Sequence, residues 1–172
     1  MICGYPIVGD SITYGYGTDN MEKTFAHLIG AMTGGSYVVS PRGGGIAKGV
    51  IEKITTECAI VKPKYVMVTI GTNAVSSISS LATLIVKIIE IGALPIINSI
   101  PCMSGGGQTL ANNAIQSMGF PGCRFDLATA IDPTATTLTP DPSLYADGGT
   151  HPNETGFQRM ADRVRIDLPF LF

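Results

Sequence analysis

The chain has 172 residues, 45% of them hydrophobic and 14% charged, with a net charge of −2. That balance suits one folded domain, 1–172, with a substantial core, and excludes a disordered chain. The 11 lysines and arginines form no cluster, which excludes the basic face a nucleic-acid partner needs, and the apolar stretches near residues 84–100 are broken by Lys87, Glu90 and Asn98, well short of the roughly 20 residues that cross a bilayer, which excludes a membrane partner.

The elements follow in chain order. Ile2 to Val8 reads as a strand, and a helix-period segment covers about 20 to 32. A second strand, Tyr37 to Ser40, precedes a helix at about 46 to 58. The third strand, Tyr65 to Ile70, leads into a helix at about 76 to 91, where Ile78, Leu81, Leu84, Ile85, Ile88 and Ile89 recur at three and four. The fourth strand, Leu94 to Ile100, is followed by a helix at about 108 to 118, and the fifth, Cys123 to Leu127, by Ala128 to Thr150, which reads as a long loop. A last helix spans about 154 to 168. Near-continuous apolar strands alternating with helices predict an α/β fold, a doubly wound sandwich on a five-stranded parallel sheet with right-handed crossovers. No internal repeat and no linker is visible. The start, MICGYPIVGD, lacks a charged segment leading into a long apolar one, so no signal peptide is expected; a secreted chain trimmed of its leader, or an excised domain, would read the same. Compartment and oligomeric state stay open.

In open α/β sheets ligands bind beyond the carboxyl ends of the strands. Those ends carry Gly9-Asp10-Ser11, Pro41-Arg42-Gly43-Gly44-Gly45, Gly71-Thr72-Asn73 and Pro101-Cys102, and Asp147 to Asn153 precedes the last helix. Ester hydrolysis through a serine needs a hydroxyl, a base, a group that orients the base, and donors for the oxyanion. Ser11 supplies the hydroxyl. The chain has two histidines. His27 lies inside the first long helix and reads as structural; His151, at a loop-to-helix junction on the rim, is the candidate base. Asp147, four residues earlier, is the candidate orienting acid, and Asn153 reads as a helix cap. Asn73, the Ser11 amide and the glycines at 43 to 45 are candidate oxyanion donors. The cysteines, Cys3, Cys58, Cys102 and Cys123, show no C-x-x-C spacing and no histidine at ligand spacing. They read as small buried hydrophobes, with no metal and no cofactor.

These blocks resemble the SGNH hydrolase superfamily, the GDSL-type esterases and lipases. Gly9-Asp10-Ser11-Ile12-Thr13 is similar to its first block, Gly71-Thr72-Asn73 to its G-x-N, and Asp147 to Asn153 to its D-x-x-H-P, in the family's order across residues 9 to 153. The resemblance implies a flavodoxin-like three-layer α/β/α sandwich and a metal-free serine esterase. It implies Ser11 as nucleophile, His151 as base, and an oxyanion hole of the Ser11 amide, a glycine amide and the Asn73 side chain. Counting from Ser40 favours Gly45 as that glycine; a tighter loop would use Gly43 or Gly44. The family's aspartate stands three residues before the histidine, and here Asp147 stands four before, with Gly148 and Gly149 between. Either the glycines absorb the extra residue, or the chain works as a Ser-His dyad with a backbone carbonyl orienting the ring.

The expected substrate is a small acyl ester, acetyl foremost. Relatives' habits extend this to acetylated carbohydrate, with Tyr14, Tyr16 and Tyr145 available for sugar stacking in a chain without tryptophan. The alternative is a non-catalytic SGNH-like carbohydrate-binding or structural module of a larger assembly. A nucleotide site at Gly43 to Gly45 is disfavoured because the following residues match neither a P-loop nor G-x-G-x-x-G. A thiol mechanism through Cys102 and His151 lacks support from sequence.

Overall fold

The computed structural model describes residues 5–34, 38–41, 47–73, 78–104, 108–132 and 139–172. Five short strands form one parallel sheet: β1 (Pro6–Gly9), β2 (Val38–Pro41), β3 (Tyr65–Thr69), β4 (Leu94–Asn98) and β5 (Cys123–Phe125), in the spatial order β2-β1-β3-β4-β5. The helices are α1 (Ser11–Tyr14), α2 (Phe25–Thr33), α3 (Ala47–Lys53), α4 (Ala59–Val61), α5 (Ile78–Glu90), α6 (Gln108–Ser117), α7 (Leu127–Ile131) and α8 (Glu154–Asp167). A π-helical turn, Ile54–Cys58, joins α3 to α4.

The alternation of side chains along each strand divides the core into two layers. Ile7, Met67, Ile96 and Phe125 point to one face and pack with Phe25 and Ile29 of α2, Leu127 and Ile131 of α7, and Phe157, Met160 and Val164 of α8. Val8, Val66, Val68 and Ile97 point to the other and pack with Val50 and Ile54, with Leu81, Leu84, Ile85 and Ile88 of α5, and with Ala111 and Ile115 of α6. Helices thus cover both faces, which is why the strand sequences are apolar at nearly every position.

Three local readings are corrected. Ala128 to Thr150 is not all loop: α7 occupies its start, with the Asp126 carboxylate accepting from the Thr129 amide (3.2 Å), and a 3₁₀ turn forms at Pro142–Leu144. Both are too short to show a helical period. Ser11–Tyr14, given no element from sequence, is a short helix, because Asp10 caps it and Gly15 ends it in the left-handed conformation (φ +97°). Ile89, expected on the buried face of α5, is 39% exposed. Ile78, at the head of that stripe, has a side chain outside the described set.

The strand order sets where a site can form. From β1 the chain crosses to β2 on one side, and β3 returns on the other. A sheet of this order opens a crevice at the carboxyl ends of β1 and β3, where crossovers diverge. Gly9-Asp10-Ser11 leaves β1 there, and Gly71-Thr72-Asn73 follows β3 there.

Candidate active site

Ser11 opens α1 directly after β1, and its position is fixed from beneath. Asp10, 1% exposed, accepts from the Ile12 amide (3.0 Å) and from the Thr72 hydroxyl (2.7 Å). Burial pushes the Asp10 carboxyl above the ordinary carboxylate value, and the Thr72 hydroxyl and the Ile12, Gly71 and Thr72 amides offset part of that rise. The Asp10 amide donates to the Thr69 carbonyl (3.2 Å), and the Thr13 and Thr69 hydroxyls pair below. Gly9 is required at this crossing, since a Cβ there would run into Thr13 and the Thr69 backbone. The serine therefore sits on a turn clamped to β3.

His151 arrives from the other end of the chain. Tyr145 and Pro152 form an antiparallel bridge, and the Ala146 amide donates to the His151 carbonyl (2.9 Å). Asn153 caps α8 through the Gly156 amide (3.1 Å) and donates to the Ser143 carbonyl (2.9 Å). The result brings His151 Nε2 to 3.0 Å from Ser11 Oγ across 140 residues of sequence.

Asp147 completes the chain of contacts. One carboxylate oxygen accepts from the amides of His151 (2.9 Å) and Thr150 (3.0 Å), and the other hydrogen-bonds His151 Nδ1. Partial burial works to raise its pKa. The bonds from the His151 amide, the His151 ring and the Thr150 amide outweigh that and hold it at about 2. The extra residue between Asp147 and His151 is absorbed by Gly148 (φ +77°) and Gly149 (φ +126°), conformations that other residues rarely adopt. Ser104 pins this loop, its hydroxyl donating to the Gly148 carbonyl and its amide to the Gly149 carbonyl, both at 2.8 Å.

The remaining candidates divide. Asn73 is exposed at the rim, in the loop that Thr72 ties to Asp10. Gly45, with Gly43 and Gly44, lies outside the described residues. His27 is not at the site: it lies in the first turn of α2, with Nδ1 bonded to the Thr24 hydroxyl at 2.9 Å. Cys102 is buried. Tyr145, expected as an exposed stacking ring, is instead 5% exposed, and its hydroxyl donates to the Cys102 carbonyl. Tyr14 and Tyr16 are half exposed, and the Tyr16 ring lies 5.5 Å from the His151 ring. Among the described residues no group of three or more His, Cys, Asp or Glu is arranged to hold a metal ion, and no helix is long and apolar enough to cross a membrane.

Sequence reasoning passed over Asp10, Thr72 and Ser104. For Asp10 a signal existed, since an aspartate before a short helix is a cap. Ser104 gave none, because its partner lies 44 residues away.

The same arrangement of strands and helices recurs in solved structures. A protein assigned to the lipolytic G-D-S-L family from Desulfitobacterium hafniense superposes with a TM-score of 0.74, over 96% of this chain and 99% of its own, at 17% identity. The fold is that of the G-D-S-L proteins. The G-D-S-L fold is shared with a variant of an acetyl xylan esterase from Geobacillus stearothermophilus (TM-score 0.72, 14% identity, 99% and 98% of the two chains). It is shared too with a two-domain esterase active on acetylated mannans (TM-score 0.77, 14% identity), of which it covers 49% while spanning 98% of this chain. No protein-family profile and no curated protein sequence matches the chain.

Proposed function

We propose that this protein is a serine esterase that removes small acyl groups, acetyl foremost, through an acyl-enzyme. The observation that carries the reading is the continuous hydrogen-bonded run Ser11–His151–Asp147 at the crevice of the sheet. The Ser11 hydroxyl attacks the ester carbonyl while His151 Nε2 takes its proton. Asp147, ionised at neutral pH, holds the ring with Nδ1 protonated and offsets the charge that the ring gains. The tetrahedral oxyanion is stabilised by the Ser11 amide, the Asn73 side chain and a glycine amide from 43 to 45, with Gly45 the first choice. His151 returns the proton to the departing alcohol. Water then attacks the acyl-Ser11, giving up a proton to His151, and the acid leaves with Ser11 restored.

Two fold neighbours, an acetyl xylan esterase and an esterase active on acetylated mannans, support carbohydrate as the bearer of the acetyl group. The test is a series of p-nitrophenyl esters from acetate to decanoate, paired with a fluorophosphonate label mapped by mass spectrometry. Highest kcat/KM on acetate and a label on Ser11 are expected. A label elsewhere removes the nucleophile, and neither label nor turnover favours a non-catalytic binding module.

A further inference from the structure

The esterase reading leaves unassigned a broad concavity next to Tyr16. A hollow of about 800 Å³ lies between Tyr14–Met21 and the start of α8, with Tyr14, Tyr16, Asp19, Asn20, Glu154 and Thr155 among its lining. That is within the range of small-molecule sites.

The hollow has a built floor. Gly15 and Gly17 take left-handed conformations (φ +97° and +113°), and a side chain at either would strike Thr24 or the Pro152 carbonyl. Tyr16, held between them, is thereby set beside the His151 ring, 5.5 Å between centroids. The Tyr14 ring lies 5.2 Å from that of Tyr16, and the two are 50% and 52% exposed. The Thr18 hydroxyl donates to Glu154 (2.9 Å) and accepts from the Asn20 amide (3.0 Å), tying the segment to α8.

Position and chemistry each narrow the occupant. The alcohol leaving an ester takes its proton from His151, so whatever that alcohol carries lies beside the His151 ring. The Tyr16 ring lies tilted against it, 39° between planes, and Tyr16 also lines the hollow. The lining holds two carboxylates, Asp19 and Glu154, and no lysine, arginine or histidine. An anionic group would be repelled, and an alkyl chain would strip water from both carboxylates without replacing it. A sugar ring suits both features, with C–H faces for the tyrosines and hydroxyls for the carboxylates and amides. We propose that this hollow, through Tyr14 and Tyr16, holds a neutral sugar ring on the alcohol side of the ester. The inference rests on the esterase reading for its place in the reaction, though not for its ability to bind sugar.

The test compares kcat/KM for an acetylated xylobioside with that for methyl acetate, whose alcohol is too small to reach the hollow. Tyr14→Ala and Tyr16→Ala should each lower that ratio by about tenfold or more, mainly through KM on the xylobioside. A ratio within twofold of wild type for both variants overturns the proposal. Binding of unacetylated xylotriose, followed by NMR on the wild-type protein and on Tyr14→Ala, needs no turnover. Should wild type hydrolyse neither ester, the esterase reading fails; the hollow stands if xylotriose binds wild type and not Tyr14→Ala, and falls if it binds neither or both. A uronic-acid trimer bound as tightly as xylotriose would also overturn the neutral occupant.

Discussion

Replacing Asp147 by asparagine isolates what orients the base. The two amides on one carboxylate oxygen, from Thr150 at 3.0 Å and His151 at 2.9 Å, can bond an asparagine carbonyl equally well, so the loop should hold its shape. The other oxygen becomes an NH₂ group facing His151 Nδ1. The ring must then present a lone pair at Nδ1 and carry its hydrogen on Nε2, which faces Ser11 Oγ at 3.0 Å. A histidine in that tautomer cannot take the serine proton. In a well-buried triad the same switch lowers kcat by on the order of 10⁴. Here the Asp147 and His151 side chains are 41% and 25% exposed, so water can partly stand in and the ring can partly turn. The expected loss in kcat is on the order of 10² to 10³. Steady-state hydrolysis of p-nitrophenyl acetate reads it, with thermal melts to show an intact fold and KM expected near wild type. A loss below tenfold would refute the triad reasoning and favour a Ser-His dyad.

Other expectations follow from the same geometry. Asn73→Ala should lower kcat on the order of 10² to 10³ if its amide serves the oxyanion, and a wild-type rate would remove it from that role. Asp10 binds its proton more tightly folded than unfolded. Its contribution to stability is therefore full below the unfolded value of 3.8 and lost as pH rises through the raised folded value. Wild type should accordingly lose stability relative to Asp10→Asn as pH climbs from 3.5 to 7, measured by urea unfolding, and a constant gap would refute that sign. Gly9→Ala should cost about 1–3 kcal/mol by forcing Thr13 and Thr69 apart; an unchanged midpoint in the same assay contradicts the close packing.

The strands and long helices could be read from sequence because burial on both faces writes itself as apolar runs, and one-sided burial as a repeat of three and four. Leu81, Leu84, Ile85 and Ile88 of α5 show the second case plainly. Shorter elements carry no period, so α1 and α7 were legible only through their caps, Asp10 and Asp126. The spacing of Asp147 from His151 left triad and dyad open, because sequence does not show that Gly148 and Gly149 both take positive φ and fold the extra residue away. Tyr145 could not be told from Tyr14 and Tyr16 by type. Its hydroxyl finds the Cys102 carbonyl, 43 residues distant, and that contact buries it.

The most direct test of the central claim is hydrolysis of p-nitrophenyl acetate by wild type and Ser11→Ala, side by side. Turnover by wild type that all but vanishes in a folded Ser11→Ala variant is the predicted result. A Ser11→Ala variant that retains wild-type turnover would contradict the account, because Ser11 would then not be the nucleophile.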